Sequence, residues 1–242
     1  MLDASLTCGT LPAAPAREDF QKISDSADLD HPLIKQIVQK ELGLDPRDVS
    51  QRLWEFAIAY AALESFGLLR AEKTGLSFGA GVEHLLYAIS RKVKLLYVTD
   101  LYSAGSVWSE ANANDARKFV IESAPVPFNP DAIEVRNMDM RKPDLPDASV
   151  DFCYSISAME HIGDDADFIA HLREAGRILK DGGVYLLTTT CITAAETIRQ
   201  PSCFPSRTCS GFLSRPDCIQ PDASMHTLAI PLVILPFLRQ GH

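Results

Sequence analysis

A chain of 242 residues is long enough for one α/β domain with a substantial core plus an N-terminal extension. Its 32 Asp plus Glu outweigh 23 Lys plus Arg, giving a net charge of -9; a groove that tracks DNA or RNA needs clustered basic side chains, so nucleic acid is not an expected partner. Of the six cysteines, Cys8, Cys153 and Cys191 are isolated, and Cys203, Cys209 and Cys218 lack CxxC spacing and suitably placed histidines, so no metal site is expected.

Residues 1–30 hold Asp3, no long apolar core and no sustained period. They read as a flexible or loosely docked segment and not as a secretory signal, which makes a cytoplasmic protein with reduced thiols the default. Residues 31–70 form a helical extension or cap. Asp45 followed by Pro46 is a good helix start, Gly67 sits where a C-terminal cap belongs, and Leu53 to Leu63 are apolar nearly all round, as in a helix buried against a neighbour.

Residues 71–191 alternate strand and helix patterns. Strands are expected near 75–78, 94–99, 132–136, 150–156 and 184–190, with helices near 82–91, 109–123 and 164–180, which predicts an α/β, Rossmann-like, doubly wound and mostly parallel sheet. In the last helix Phe168, Ile169, Leu172, Ala175, Ile178 and Leu179 recur at three- and four-residue steps, and Gly182-Gly183 read as a glycine cap leading into a strand.

The chemistry concentrates at strand ends. The stretch Gly75-Leu-Ser-Phe-Gly79-Ala80-Gly81-Val-Glu83 reads as a strand closing in a tight turn where two glycines let the backbone approach a ligand. Asp100 ends the next strand, on the same edge, where a carboxylate can accept hydrogen bonds from two ribose hydroxyls. That pairing suggests a bound nucleoside.

Beyond Thr190 the pattern fails. Residues 192–242 read as an irregular C-terminal tail that leaves the sheet incomplete, with breakers throughout Gln200–Cys218. Leu228–Leu238, eleven residues with two prolines, is too short to span a bilayer but could supply one edge strand, where proline is tolerated.

As an ordered set, the glycine turn, Asp100, Met138-Asp139-Met140, Asp147-Ala-Ser149-Val-Asp-Phe152, Glu160-His161-Ile162 and Arg177-Ile-Leu-Lys180-Asp-Gly-Gly183 resemble the class I S-adenosylmethionine-dependent methyltransferases, in particular their small-molecule branch. The resemblance covers roughly residues 70–191. It implies S-adenosyl-L-methionine as cofactor and a small-molecule, glycan or lipid-precursor acceptor. It places Gly79, Ala80 and Gly81 against the methionine part and Asp100 with Leu101 at the ribose. Asp139 would accept from the adenine amino group with Met140 against the ring, and Ser155 would face the methionine moiety or the acceptor. His161 is the candidate general base, since an imidazole can take a proton near neutral pH.

Two departures stand out. The resemblance expects an acid two positions before the first glycine, where Ser77 stands, and a third glycine where Glu83 stands. Glu83 reads as an exposed first-turn residue able to compensate electrostatically. Trp54, Glu55, Tyr60, Tyr102 and Trp108 suit either a pocket lining or the core.

Two alternatives stay open. A nicotinamide-binding Rossmann oxidoreductase also shows glycines followed by an acid, but His84 replaces its third glycine and no tyrosine has a lysine four residues later. A non-catalytic nucleoside-binding pseudoenzyme would explain Ser77 and the irregular tail. The sequence leaves the oligomeric state open.

Overall fold

The computed structural model describes residues 10–102, 116–189, 191–194, 226–229 and 231–237. A two-residue strand, β1 (Lys22–Ile23), precedes helices α1 (Pro32–Lys40) and α2 (Gln51–Ser65). Then follow β2 (Thr74–Phe78), α3 (His84–Ser90), β3 (Leu95–Asp100), α4 (Ala116–Glu122), β4 (Ile133–Asn137), β5 (Val150–Ile156), α5 (Asp165–Ile178), β6 (Leu179–Thr188), β7 (Cys191–Ala194), β8 (His226–Ala229) and β9 (Pro231–Phe237).

Seven strands form one mixed sheet in the order β1-β9-β6-β5-β2-β3-β4, so the expected α/β, doubly wound architecture is present. The run from β6 to β4 is parallel, while β9 is antiparallel to both β6 and β1. The chain leaves β2 toward β3 and β4, then returns to its other side with β5 and β6. Such a reversal opens a crevice at the carboxyl ends of the central strands.

Period-two alternation divides the core. Phe152, Tyr154, Ile156, Leu96 and Val98 face a cluster with α2 and α3, whereas Leu76, Phe78, Cys153, Tyr185 and Leu187 face one with Ala175 and Ile178 of α5. Helix α2 is buried continuously from Trp54 to Leu63, as its all-round apolar pattern requires. Each large side chain there contributes roughly 1.5–3 kcal/mol by burial. Trp54 and Tyr60 are fully inside the core, while Trp108 lies outside the described residues.

Local chemistry explains where the structure departs from expectation. Asp45 caps a turn and not a helix: its carboxylate accepts from the Arg47 backbone N–H at 2.9 Å, and α2 starts later, at the Ser50 cap. Aspartate supports an Asx turn as readily as an N-cap, so Asp-Pro does not distinguish them. Gly67 does cap α2, with Gly67 N–H donating to Glu64 and Leu68 N–H to Leu63. Helix α5 ends earlier than expected, at Ile178, because Leu179 is already extended and paired with Val150. Gly182-Gly183 therefore lie inside β6, in an excursion between the Val150–Leu179 and Phe152–Val184 pairs. A Cβ on Gly183 would sit 2.8 Å from the Lys180 carbonyl oxygen.

Residues 10–30 are docked and not loose. Leu11 and Phe20 are buried, and Lys22 pairs with Asp28 inside the fold. The C-terminal stretch completes the sheet: β9 lies between β6 and β1, and β8 pairs antiparallel with β7. β1 pairs with β9 only at Leu232 and Pro231, so most of β9 has a free outer side among the described residues, and its prolines fit at its start and near its end. Residues 195–225, including Gln200–Cys218, lie outside the described residues.

Candidate functional site

The crevice beside β2 is built on a braced glycine turn. Gly79 and Gly81 have φ of +64° and +48°, a left-handed region that favours glycine. A Cβ on Gly79 would meet the Ala158 methyl at 2.5 Å and the Met140 Cε at 3.4 Å, so the turn, the end of β5 and the loop after β4 converge there. At Gly81 a Cβ would find, among the described residues, only the Asp100 carboxylate, at 4.0 Å.

Three hydrogen bonds tie this turn to β3. Ala80 N–H donates to the Thr99 carbonyl at 3.0 Å, Gly81 N–H to Asp100 Oδ2 at 2.9 Å, and the Tyr102 hydroxyl to the Gly81 carbonyl at 3.0 Å. Asp100 Oδ1 also accepts from the Leu101 N–H at 2.7 Å. The Leu101 side chain is 49% exposed beside it, an apolar surface at the rim of the crevice. Tyr102 is core-facing and buried, and burial pushes its phenol up.

Asp139 and Met140 reach the same edge in different states. Arg141 grips the Asp139 carboxylate through Nε and Nη2, at 3.0 and 2.7 Å, and holds its pKa below the usual carboxylate range. The same guanidinium bonds Asp167 of α5 at 3.0 Å, so Asp139 anchors the loop after β4. An adenine amino group would share Asp139 with that guanidinium.

His171, which the sequence reading passed over, positions Met140. Fully buried in α5, it bonds the Met140 carbonyl through Nδ1 at 2.9 Å and the Tyr185 hydroxyl through Nε2 at 2.7 Å. Burial lowers its pKa and keeps the ring neutral, which allows one nitrogen to donate and the other to accept. Its only sequence signal is a polar residue on the apolar side of an amphipathic helix.

Strand alternation sorts the remaining residues. Ser77, Tyr154 and Thr188 share the α2 side of the sheet, in register with Leu96, Val98 and Asp100. Ser155 points to the opposite side, fully buried among the α5 cluster, so it does not join the glycine turn in lining the crevice. His161 ends the short helical turn Met159–His161 after β5, and its side chain is exposed at the mouth.

The N-terminal extension closes the α2 side. Glu55 Oε2 accepts from the Ser157 and Thr188 hydroxyls, each at 2.6 Å, and Arg52 Nη1 donates to the Ile156 carbonyl at 3.3 Å. Ser157 has φ of +45°, rare for a residue with a Cβ, and its N–H donates to Thr188. Such strain persists where neighbours enforce it, and Glu55 does so here. Glu83 stands at the N-cap position of α3 without a side-chain capping bond, and it is half-buried, not the exposed residue that its position suggested. Its Oε2 is buried without a hydrogen-bond partner among the described residues. Burial pushes its carboxyl well up, Arg52 opposes, and Glu55 and Asp100 add to the rise.

A doubly wound sheet with a glycine turn at its reversal point, and an acid closing the neighbouring strand, places both at the edge where open α/β sheets form a crevice. Residues 76–187, just under half of the chain, match the family model described as a methyltransferase domain. Over that span the chain is similar to a methyltransferase domain. A curated relative in Mycolicibacterium smegmatis, named "Probable S-adenosylmethionine-dependent methyltransferase", is 37% identical over 57 residues, 24% of this chain and 21% of the relative. The chain thus matches about a fifth of that relative's length. Among solved structures, the YcgJ protein of Bacillus subtilis is 22% identical, with a TM-score of 0.45 over 60% of this chain and 53% of its own. An S-adenosylmethionine-dependent methyltransferase of Aquifex aeolicus is 21% identical, with a TM-score of 0.41 over 64% and 70%.

Among the described residues no helix is long and apolar enough to cross a membrane, and no group of His, Cys, Asp and Glu is arranged to hold a metal ion.

Proposed function

We propose that the chain binds S-adenosyl-L-methionine in the crevice between β2, β3 and β5 and transfers its methyl group to a small-molecule, glycan or lipid-precursor acceptor. The supporting observation is the pairing of the braced Gly79–Gly81 turn with Asp100 at one sheet edge, beside an exposed Leu101. The bound cofactor supplies an already activated methyl. The protein's task is therefore alignment and exclusion of water, which in model systems lowers a barrier by up to about 7–11 kcal/mol.

In this reading Asp100 accepts from the ribose hydroxyls, Leu101 and Met140 flank the nucleoside, and the turn backbone passes along the amino-acid arm. Asp139 holds its loop for the adenine end through Arg141. His161 stands at the mouth, where it takes the acceptor's proton if the acceptor is a hydroxyl. Arg52, Glu55 and Ser157, between α2 and the end of β5, form the wall nearest the acceptor. The net charge of -9 favours a small acceptor over nucleic acid, and the reading includes cytoplasmic residence.

Thermal unfolding with added ligand tests this reading. S-adenosylhomocysteine is expected to raise the midpoint and NAD to leave it unchanged; protection by NAD alone would overturn it.

A further inference from the structure

On the α2 side of the sheet the buried side-chain atoms without a hydrogen-bond partner among the described residues are Trp54 Nε1 and Tyr60 Oη of α2 itself and, beneath the glycine turn, Ser77 Oγ, Tyr154 Oη and Glu83 Oε2. Ser77 and Tyr154 are adjacent in the β2–β5 register, and both residues are fully buried. The Glu83 carboxylate and the Ser77 hydroxyl both act on the Tyr154 phenol, the first raising its pKa and the second lowering it, which places all three in one neighbourhood and the two hydroxyls beside one another. Buried polar groups in folded proteins are nearly always paired. Glu83 Oε2, unpartnered beside two hydroxyls that have only each other, marks a place that expects an incoming group.

The electrical surroundings say what kind of group. Among the described residues, the charges acting on Glu83 are the Arg52 cation and the carboxylates of Glu55 and Asp100. Glu55 already spends Oε2 on Ser157 and Thr188, and Asp100 accepts from Gly81 and Leu101. Glu83 is the carboxylate with an unused buried oxygen. Burial and the neighbouring carboxylates favour the protonated form of Glu83 while the site is empty, and an incoming cationic donor restores its charge and fills the unused oxygen.

We propose that Glu83 receives the ammonium of the cofactor's amino-acid arm, in a subsite completed by the Ser77 and Tyr154 hydroxyls and made more negative by Glu55 of the N-terminal extension. This rests on the S-adenosylmethionine reading above and deepens it. The charge absent at Ser77 is supplied six positions later, by the residue standing where a third glycine was expected. It is also shaped by α2, which lies outside the family match.

Isothermal titration of the full chain with two nucleosides tests the assignment. S-adenosylhomocysteine carries the amino-acid arm; 5′-methylthioadenosine keeps the adenosine and sulfur but ends in a methyl. Glu83→Gln is expected to weaken S-adenosylhomocysteine about 10- to 100-fold, the range for one charge-assisted hydrogen bond, and to leave 5′-methylthioadenosine unchanged. The double variant Ser77→Asp/Glu83→Gln, which moves the carboxylate to the neighbouring strand, is expected to regain most of the loss. Equal binding of S-adenosylhomocysteine by wild type and Glu83→Gln, equal losses for both ligands, or a loss that the double variant does not reverse each overturn the subsite. Wild type that binds 5′-methylthioadenosine and S-adenosylhomocysteine equally well overturns the subsite alone, whereas wild type that binds neither overturns the parent reading too.

Discussion

Two carboxylates, the fully buried Asp28 in the N-terminal clasp and the half-buried Glu83 under the glycine turn, show how the fold treats charge in different regions. Asp28 is fully enclosed and completely partnered: it accepts from Leu11 N–H at 2.6 Å and Asp25 N–H at 2.9 Å, and it pairs with the buried Lys22 ammonium. Those bonds fix residues 11–28 around β1, which in turn borders β9. Glu83 has a buried oxygen and no donor. A buried ion with a full set of partners is architecture; a carboxyl left incomplete among the described residues, at the reversal point of a doubly wound sheet, is where the proposed subsite lies.

The sharpest way to break the contrast is to remove each carboxylate in turn. Asp28→Ala strands Lys22 in the core and is expected to cost about 3–5 kcal/mol in urea unfolding. Glu83→Gln should cost nothing at neutral pH. A comparable loss from both would erase the distinction between clasp and subsite.

Next in size is Asp100→Ala. It removes an acceptor serving both ligand and turn, so S-adenosylhomocysteine affinity should fall by roughly 2–4 kcal/mol, the value of one to two hydrogen bonds to a charged group. Titration calorimetry reads this directly, while unfolding should move far less than for Asp28→Ala.

His171→Leu comes third. It strands the Met140 carbonyl and the Tyr185 hydroxyl, at a cost of about 1–3 kcal/mol of stability. Nucleoside affinity should weaken as Met140 loosens, with the loss confined to adenine-bearing ligands.

The smallest effect sharpens the contrast by pH. Burial raises the Glu83 carboxyl pKa, so between the ordinary carboxylate range and that raised value the folded state holds a proton that the unfolded chain has lost. Stability falls as pH rises through that window. Arg52, Glu55 and Asp100 face the group from α2 and β3 and are present in both proteins. Glu83→Gln should therefore melt above wild type at pH 8 and level with it at pH 4; thermal scans at the two pH values check the sign.

Much of this was readable from residues alone, for identifiable reasons. Gly79, Gly81 and Asp100 announce themselves because backbone conformation and strand endings are local properties, and the five parallel strands follow from local apolar runs. The face of a doubly buried strand is not local. Both sides of β5 are apolar, so alternation could not tell that Tyr154 looks toward α2 and Ser155 toward α5. Glu83 looked like an ordinary exposed first-turn acid because the helix that covers it begins some thirty residues earlier. Glu55 and His171 were hidden likewise, each a polar side chain on an apolar helix face whose partners lie on distant strands. Asp45 misled because its cap geometry serves turns and helices equally.

The most direct test of the central claim, that the Gly79–Gly81 turn and Asp100 together hold a nucleoside, is calorimetric titration of S-adenosylhomocysteine into the intact chain and into Asp100→Ala. The account expects single-site binding to the wild type and an affinity at least about thirtyfold weaker in the variant, equivalent to about 2 kcal/mol. Absence of heat from a folded wild type, or equal affinities for the two proteins, would contradict it.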